Sequence, residues 1–285
     1  MAKRKRRGYE SYIASAKASA KLVGTAAAVS AYKIEVRFLG GLTTGQKNAF
    51  KTAADRWTKV IVGDLPSVQV DGEVVDDLLI LAQGVSIDGP GGILGQAGPT
   101  HVRPASAGTS AFLPVKGIMS FDTADLAQMQ SDGTLKDVIT HEMGHVIGIG
   151  TIWGLKGLLK GEGTANPRFT GKKAKIEFGK LKSKAAAEVP VENLGGPGTR
   201  DGHWRESVFK TELMSGFIAA PGNPLSRMTV ASLKDMGYKV DLTKAETYKL
   251  PDLLALNAAG DVSTHNEPHA LPVIPITLPD SSMID

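Results

Sequence analysis

The sequence predicts an α+β fold: a twisted mixed β-sheet with two helices in an upper subdomain, and an irregular lower subdomain closed by a C-terminal helix. Three observations point there. Lys33-Ile34-Glu35-Val36-Arg37-Phe38 alternates polar and apolar residues, the period of a half-buried strand. A helical apolar stripe and two further apolar runs follow it, giving a β-α-β-β order that suits a mixed sheet with a helix on one face. From residue 151 to 202 the patterning gives way to loop-rich sequence, with one clear helix beyond it.

Each element has a local cause. Gly40-Gly41 breaks the first strand, and Thr43 with Gln46 forms a capping box that starts a helix. Phe50, Ala53, Trp57 and Val60 give this helix one apolar face. Val68–Val70 and Leu78–Ala82 read as strands, the second a continuous apolar run suited to a sheet interior. Residues 84–117 are dense in glycine and proline, and Gly117–Phe121 offers one more short strand. Ser131 or Asp132 can cap a helix from Thr134 to Ile147, which Gly148 and Gly150 end. A last helix over Ser226–Met236 is capped by Ser226 and stopped by Gly237. The chain thus divides into an N-terminal arm (1–32), an upper subdomain (33–150), a lower subdomain (151–250) and a proline-rich extended tail (251–285).

Composition narrows the chemistry. The 285 residues, 42% of them hydrophobic, suffice for one sizeable core. No apolar run reaches the length of about 18 residues that a transmembrane helix needs. There is no cysteine, which excludes disulfides, thiolate metal sites and a cysteine nucleophile. Any metal must be held by His, Asp, Glu or backbone oxygens.

The net charge of +4 is concentrated in the arm: residues 1–10 hold five cations and one anion, leaving 28 of each over the rest. A neutral body argues against a nucleic-acid-reading domain, so nucleic-acid contact is expected at most weakly, through residues 3–7. Ser11–Ala31 reads either as a weakly amphipathic helix or, behind the basic run, as a poor signal peptide ending Val29-Ser30-Ala31.

The sharpest motif is His141-Glu142-Met143-Gly144-His145. On a helix the two imidazoles project from one face a turn apart, a spacing that suits two ligands on one zinc ion. Glu142 is then placed to take a proton from a zinc-bound water. The bland alternative is an ordinary amphipathic helix. Yet Val138, Ile139, Val146 and Ile147 turn both imidazoles toward the core, where burial without a partner costs free energy that a metal removes.

The motif resembles the metzincin pattern, in which the sequence continues His-x-x-Gly-x-x-His. Gly148 fits, but Thr151 stands where the third histidine is expected. Further on, Asp201-Gly202-His203-Trp204 precedes Glu212-Leu213-Met214-Ser215-Gly216, which looks like a Met-turn. Over residues 33–250 this combination resembles the leishmanolysin-like peptidases, metzincins in which an insertion separates the helix from the third histidine. The resemblance implies that His203 is the third zinc ligand and Met214 the Met-turn residue. The chain departs from the family's eukaryotic members in having no cysteines.

Two further expectations rest on resemblance. Asp88-Gly89-Pro90-Gly91-Gly92-Ile93 and Phe121-Asp122-Thr123-Ala124-Asp125 are similar to the structural calcium loop of matrixins. By that likeness Asp88, Asp122 and Asp125 supply carboxylates, and Gly89, Gly91 and Ile93 supply carbonyls, to a Ca2+ ion. The plain reading is a turn followed by a helix cap. Gln96 and Ser120 replace two histidines of the matrixin pattern, so no second zinc is expected. Ile93, Leu94, Gly95, Gln96 and Ala97 also occupy the place of the metzincin edge strand, which pairs with an extended peptide through its backbone. Ser215 and Phe217 would border the pocket beyond the scissile bond.

The expected function is a zinc-dependent endopeptidase acting on protein or peptide substrates, secreted or virion-associated. The alternative is a virion or surface-assembly component that retains a zinc-stapled fold and docks through the basic arm and proline-rich tail.

Overall fold

In a computed structural model that describes residues 8–16, 31–218, 220–252 and 269–284, the strand expected at residue 33 lies near one side of a seven-stranded sheet. β1 (Glu10–Ser15) pairs antiparallel with β2 (Lys33–Gly40), and α1 (Thr44–Val60) follows. β3 (Val68–Val70) and β4 (Glu73–Val75) form a separate antiparallel pair. β5 (Leu78–Val85), β6 (Ile93–Val102) and β7 (Pro114–Asp122) complete the upper strands. The sheet runs β1-β2-β5-β7-β6, with β2, β5 and β7 parallel and β6 antiparallel to β7. This mixed α+β architecture is the fold class that the sequence predicts.

β5 lies between two parallel partners and is buried along most of its length, which explains its unbroken apolar run. Its alternating side chains serve two faces. Leu78, Ile80 and Ala82 join the main core, whereas Leu79 packs with Val68, Val70, Val75 and Val115. On the main face lies α1, whose Thr43–Gln46 capping box is present as expected. Phe50 and Trp57 are fully buried, and Trp57 Nε1 donates to the carbonyl of Thr140 at 2.9 Å. That bond ties α1 to α3 (Leu135–Ile147), the helix carrying the two histidines. Arg56 adds a clamp, reaching Asp137 of α3 at 3.2 Å and Glu246 at 2.6 Å.

Between β7 and α3 stands α2 (Thr123–Asp132), with Asp122 as its cap through a bond from the N–H of Ala124. Ser131 and Asp132 therefore belong to α2, and Thr134 occupies the cap position of α3 without a side-chain bond. The segment read as loop-rich contains β8 (Leu159–Lys160), β9 (Arg168–Phe169), α4 (Lys172–Leu181) and β10 (Val189–Pro190), the three strands forming a small antiparallel sheet. α5 (Glu206–Phe209) precedes α6 (Arg227–Met236), where Ser226 caps through Thr229 N–H and Gly237 closes the end.

Two terminal segments differ from expectation. Glu10–Ser15 is a strand rather than part of a helix, because Tyr12 and Ala14 close the otherwise open edge of β2: Ala14 is buried and Tyr12 bonds Asp55 at 2.8 Å. The Lys3–Arg7 run and residues 17–30, on which most of the helix or signal-peptide reading falls, lie outside the described residues. In the tail, β11 (His269–Leu271) and β12 (Ile276–Thr277) both pair parallel with β6. No helix among the described residues is long and apolar enough to cross a membrane.

Candidate metal centre

α3 is buried almost throughout, so every polar side chain on it needs a partner. It ends where Gly148 adopts a φ of 115° and its N–H returns to the carbonyls of Gly144 and His145. Thr151, at the position of the missing near histidine, donates instead to the carbonyl of His145 at 2.8 Å.

The third imidazole comes from the lower part of the chain. Trp153 and Trp204 stack at 4.6 Å, with Phe169 edge-on to both, which fastens the start of the long insertion to its end. Trp204 also donates through its backbone N–H to Met214 O at 2.9 Å and through Nε1 to Thr229 at 2.8 Å. His203 is thereby set opposite α3. The Nε2 atoms of His141, His145 and His203 form a triangle with sides of 2.9–3.0 Å.

The proton positions follow from the partners. His141 Nδ1 lies 2.7 Å from Leu213 O, His145 Nδ1 2.9 Å from Ile149 O, and His203 Nδ1 2.8 Å from Thr199 O. A carbonyl only accepts, so each Nδ1 donates and each neutral ring presents an Nε2 lone pair. Three lone pairs facing one another at this distance repel. A cation removes the repulsion, and a triangle of this size allows a common point about 2.0–2.1 Å from each nitrogen, the usual zinc distance. Burial, reinforced by the neighbouring imidazoles, pushes His141 and His145 down to about 3, which keeps them in the neutral form that ligation requires. The donor set fits zinc.

Beside the three imidazoles, Glu142 is 6% exposed, and its Oε2 has no hydrogen-bond partner among the described residues. Burial pushes its carboxyl up to about 8. Met214 packs under the helix: a Cβ at Gly144 would fall 2.7 Å from its sulfur. The turn that holds it is pinned by Glu212, whose buried carboxylate accepts from Met214 N, Ser226 N, Ser226 Oγ and Thr229 Oγ1. Glu212 and the three carbonyl partners escaped sequence reasoning; a carbonyl carries no residue identity, and Glu212 had only its place in the turn to mark it.

His141, Glu142, His145 and His203 open into a cavity of about 970 Å³ that Leu94, Ala97 and Phe217 also line. Ser215 does not line it. Its hydroxyl donates to the carbonyls of Lys210 and Glu212 inside the turn. Ile93, Gly95 and Gln96 contribute backbone to sheet pairing rather than side chains to the wall.

The calcium expectation is not supported. Asp122 accepts from Ile87 N, Gly89 N and Ala124 N, Asp125 from Gly91 N, and Asp88 from Ile93 N. The carboxylates hold the glycine loop by hydrogen bonds, and Gly89, Gly91 and Ile93 act there as donors. Among the described residues, the side chains that converge closely enough for a metal are the three histidines and the Asp64–Asp76–Asp77 group. In the latter, Asp77 already accepts from Leu65 N and Lys33 N.

A mixed sheet backs a helix that carries two of three converging imidazoles and a buried glutamate, a donor set suited to a metal ion. Residues 108–257, more than half of the chain, match the family of leishmanolysin, peptidase family M8. The chain belongs to this family of zinc metallopeptidases. No curated protein is significantly similar to it.

Proposed function

We propose that the chain is a zinc-dependent endopeptidase of metzincin type, with His141, His145 and His203 holding the metal and Glu142 moving protons. The observation that carries this reading is the convergence of three proton-free Nε2 atoms in one cavity with Glu142 Oε2, which has no partner among the described residues. Zinc bound there would polarise a peptide carbonyl and make water acidic enough to attack it near neutral pH.

The rest falls to the chain's own residues. Glu142 would accept the proton of the attacking water and pass it to the departing amide nitrogen. The backbone of β6 would align an extended peptide, with Phe217 bordering the pocket beyond the scissile bond. Residues 33–150 would then form the upper catalytic subdomain and 151–250 the lower one that supplies His203 and Met214.

Hydrolysis of unfolded casein by the zinc-loaded chain and by Glu142→Gln, with metal content measured on both, tests this. The expected result is equal zinc and a loss of about 10²–10⁴-fold in rate for the variant. Equal hydrolysis by the two proteins would remove Glu142 from the mechanism. Zinc in both with hydrolysis by neither would favour a zinc-stapled assembly component or a latent form of the enzyme.

A further inference from the structure

We propose that residues 269–277 of the same chain occupy the outer edge of β6, the strand read above as aligning the substrate, and so hold the enzyme latent. This rests on the peptidase reading above. One edge of β6 is taken by β7. The other is paired by β11 at Ile93, Gly95 and Gln96, and by β12 at His101 and Val102. Between these pairings, residues 272–275 line the same cavity as His141, Glu142 and His145. A strand edge takes one partner at a time. The backbone groups that would bind a substrate are those the tail now uses.

The strap is held lightly over the cleft and firmly beyond it. Leu271, Ile274 and Ile276 are 48%, 90% and 63% exposed, so their side chains bury little. Pro272 and Pro275 have no N–H and cannot extend the ladder. Val273 is half-buried and fits over Gly98, where a Cβ would fall 2.9 Å from its own. Past the cleft the chain is anchored. Leu278 N donates to Val102 O and Ile284 N to Ser67 O, while Leu278 and Met283 pack on the cluster of Val68, Val70 and Val75. An occupant tied at one end and resting on backbone pairing at the other can leave the edge while the sheet stays folded.

The absence of cysteine allows a direct test, because Gly98→Cys with Val273→Cys creates a single disulfide that locks the strap. The Cβ atoms lie closer than the usual range of about 3.5–4.5 Å, so the exposed strap must move out slightly to close the bond. Binding of fluorescein-labelled casein peptides is read by anisotropy in a Glu142→Gln background. The oxidised form should bind at least about tenfold more weakly than the reduced form, as a binding-competent state is withdrawn. Val273→Asp without the tether should bind more tightly than its parent. Equal binding in oxidised and reduced forms, at whatever affinity, overturns the proposal, as does Val273→Asp leaving binding unchanged. The readout is binding by a variant lacking the general base, so failure here and failure of the casein assay are separate results.

Discussion

His141 Nδ1 lies 2.7 Å from the carbonyl oxygen of Leu213, which binds the first histidine of α3 to the residue just before Met214. The turn at Met214 therefore does more than fill space beneath the helix. It orients the His141 ring and fixes its tautomer, and the buried carboxylate of Glu212 holds the turn in place.

Replacing Glu212 should accordingly be felt at the metal. Glu212→Ala leaves Met214 N–H and the Ser226 and Thr229 hydroxyls without their acceptor, and zinc affinity should fall about 10–100-fold. Competition against a chromophoric chelator measures it. Affinity equal to that of the parent would show that Leu213 O keeps its place unaided.

His203→Ala should abolish stoichiometric zinc binding, because two imidazoles from one helix leave the triangle open. Zinc at a hundred times its dissociation constant should stabilise the parent by about 2.7 kcal/mol and the variant by far less. Thermal melts with and without zinc, after chelator treatment, make the comparison.

Gly144→Ala sets two effects against each other. Alanine favours a helix by about 1 kcal/mol over glycine. Its Cβ, however, would lie 2.7 Å from Met214 Sδ and 2.9 Å from Trp57 Cζ2, both fully buried. Overpacking of this kind costs about 1–3 kcal/mol, so net destabilisation is expected in urea unfolding. A more stable variant would mean that Met214 can move aside.

Asp77 provides a pH signature away from the metal. Burial pushes its carboxyl from 3.8 up to about 7, against the bonds from Leu65 N and Lys33 N that favour the charged form. A carboxyl with a raised folded-state value contributes stability that is complete below pH 3.8 and is lost as pH rises through about 7. The melting temperature should carry a downward component across that window, and Asp77→Asn should flatten it. An unchanged slope in the variant would assign the pH dependence elsewhere.

Much of this was written locally. The Thr43–Gln46 box, the Ser226 cap and the alternation at Lys33–Phe38 are each decided within a few residues, and each is present. The same holds for the pairing of two histidines on one helix face. What escaped depends on distant partners. β1 forms because β2 has an edge to close, and β11 and β12 form because β6 has one, although Pro272, Pro275 and Pro279 give that segment the look of free tail. The aspartates at 88, 122 and 125 show a different limit. Cation coordination and backbone hydrogen bonding call for the same residues beside the same glycines, and only their atomic partners separate the two.

The stack of Trp153 on Trp204 has a consequence for the order of events in a newly made chain. His141 and His145 come together as soon as one helix forms, but His203 arrives only after a loop of 58 residues beyond His145 has closed. Contacts of such separation form late. A half-folded chain would thus hold two imidazoles without the third, and the triangle would close as one of the last acts of folding.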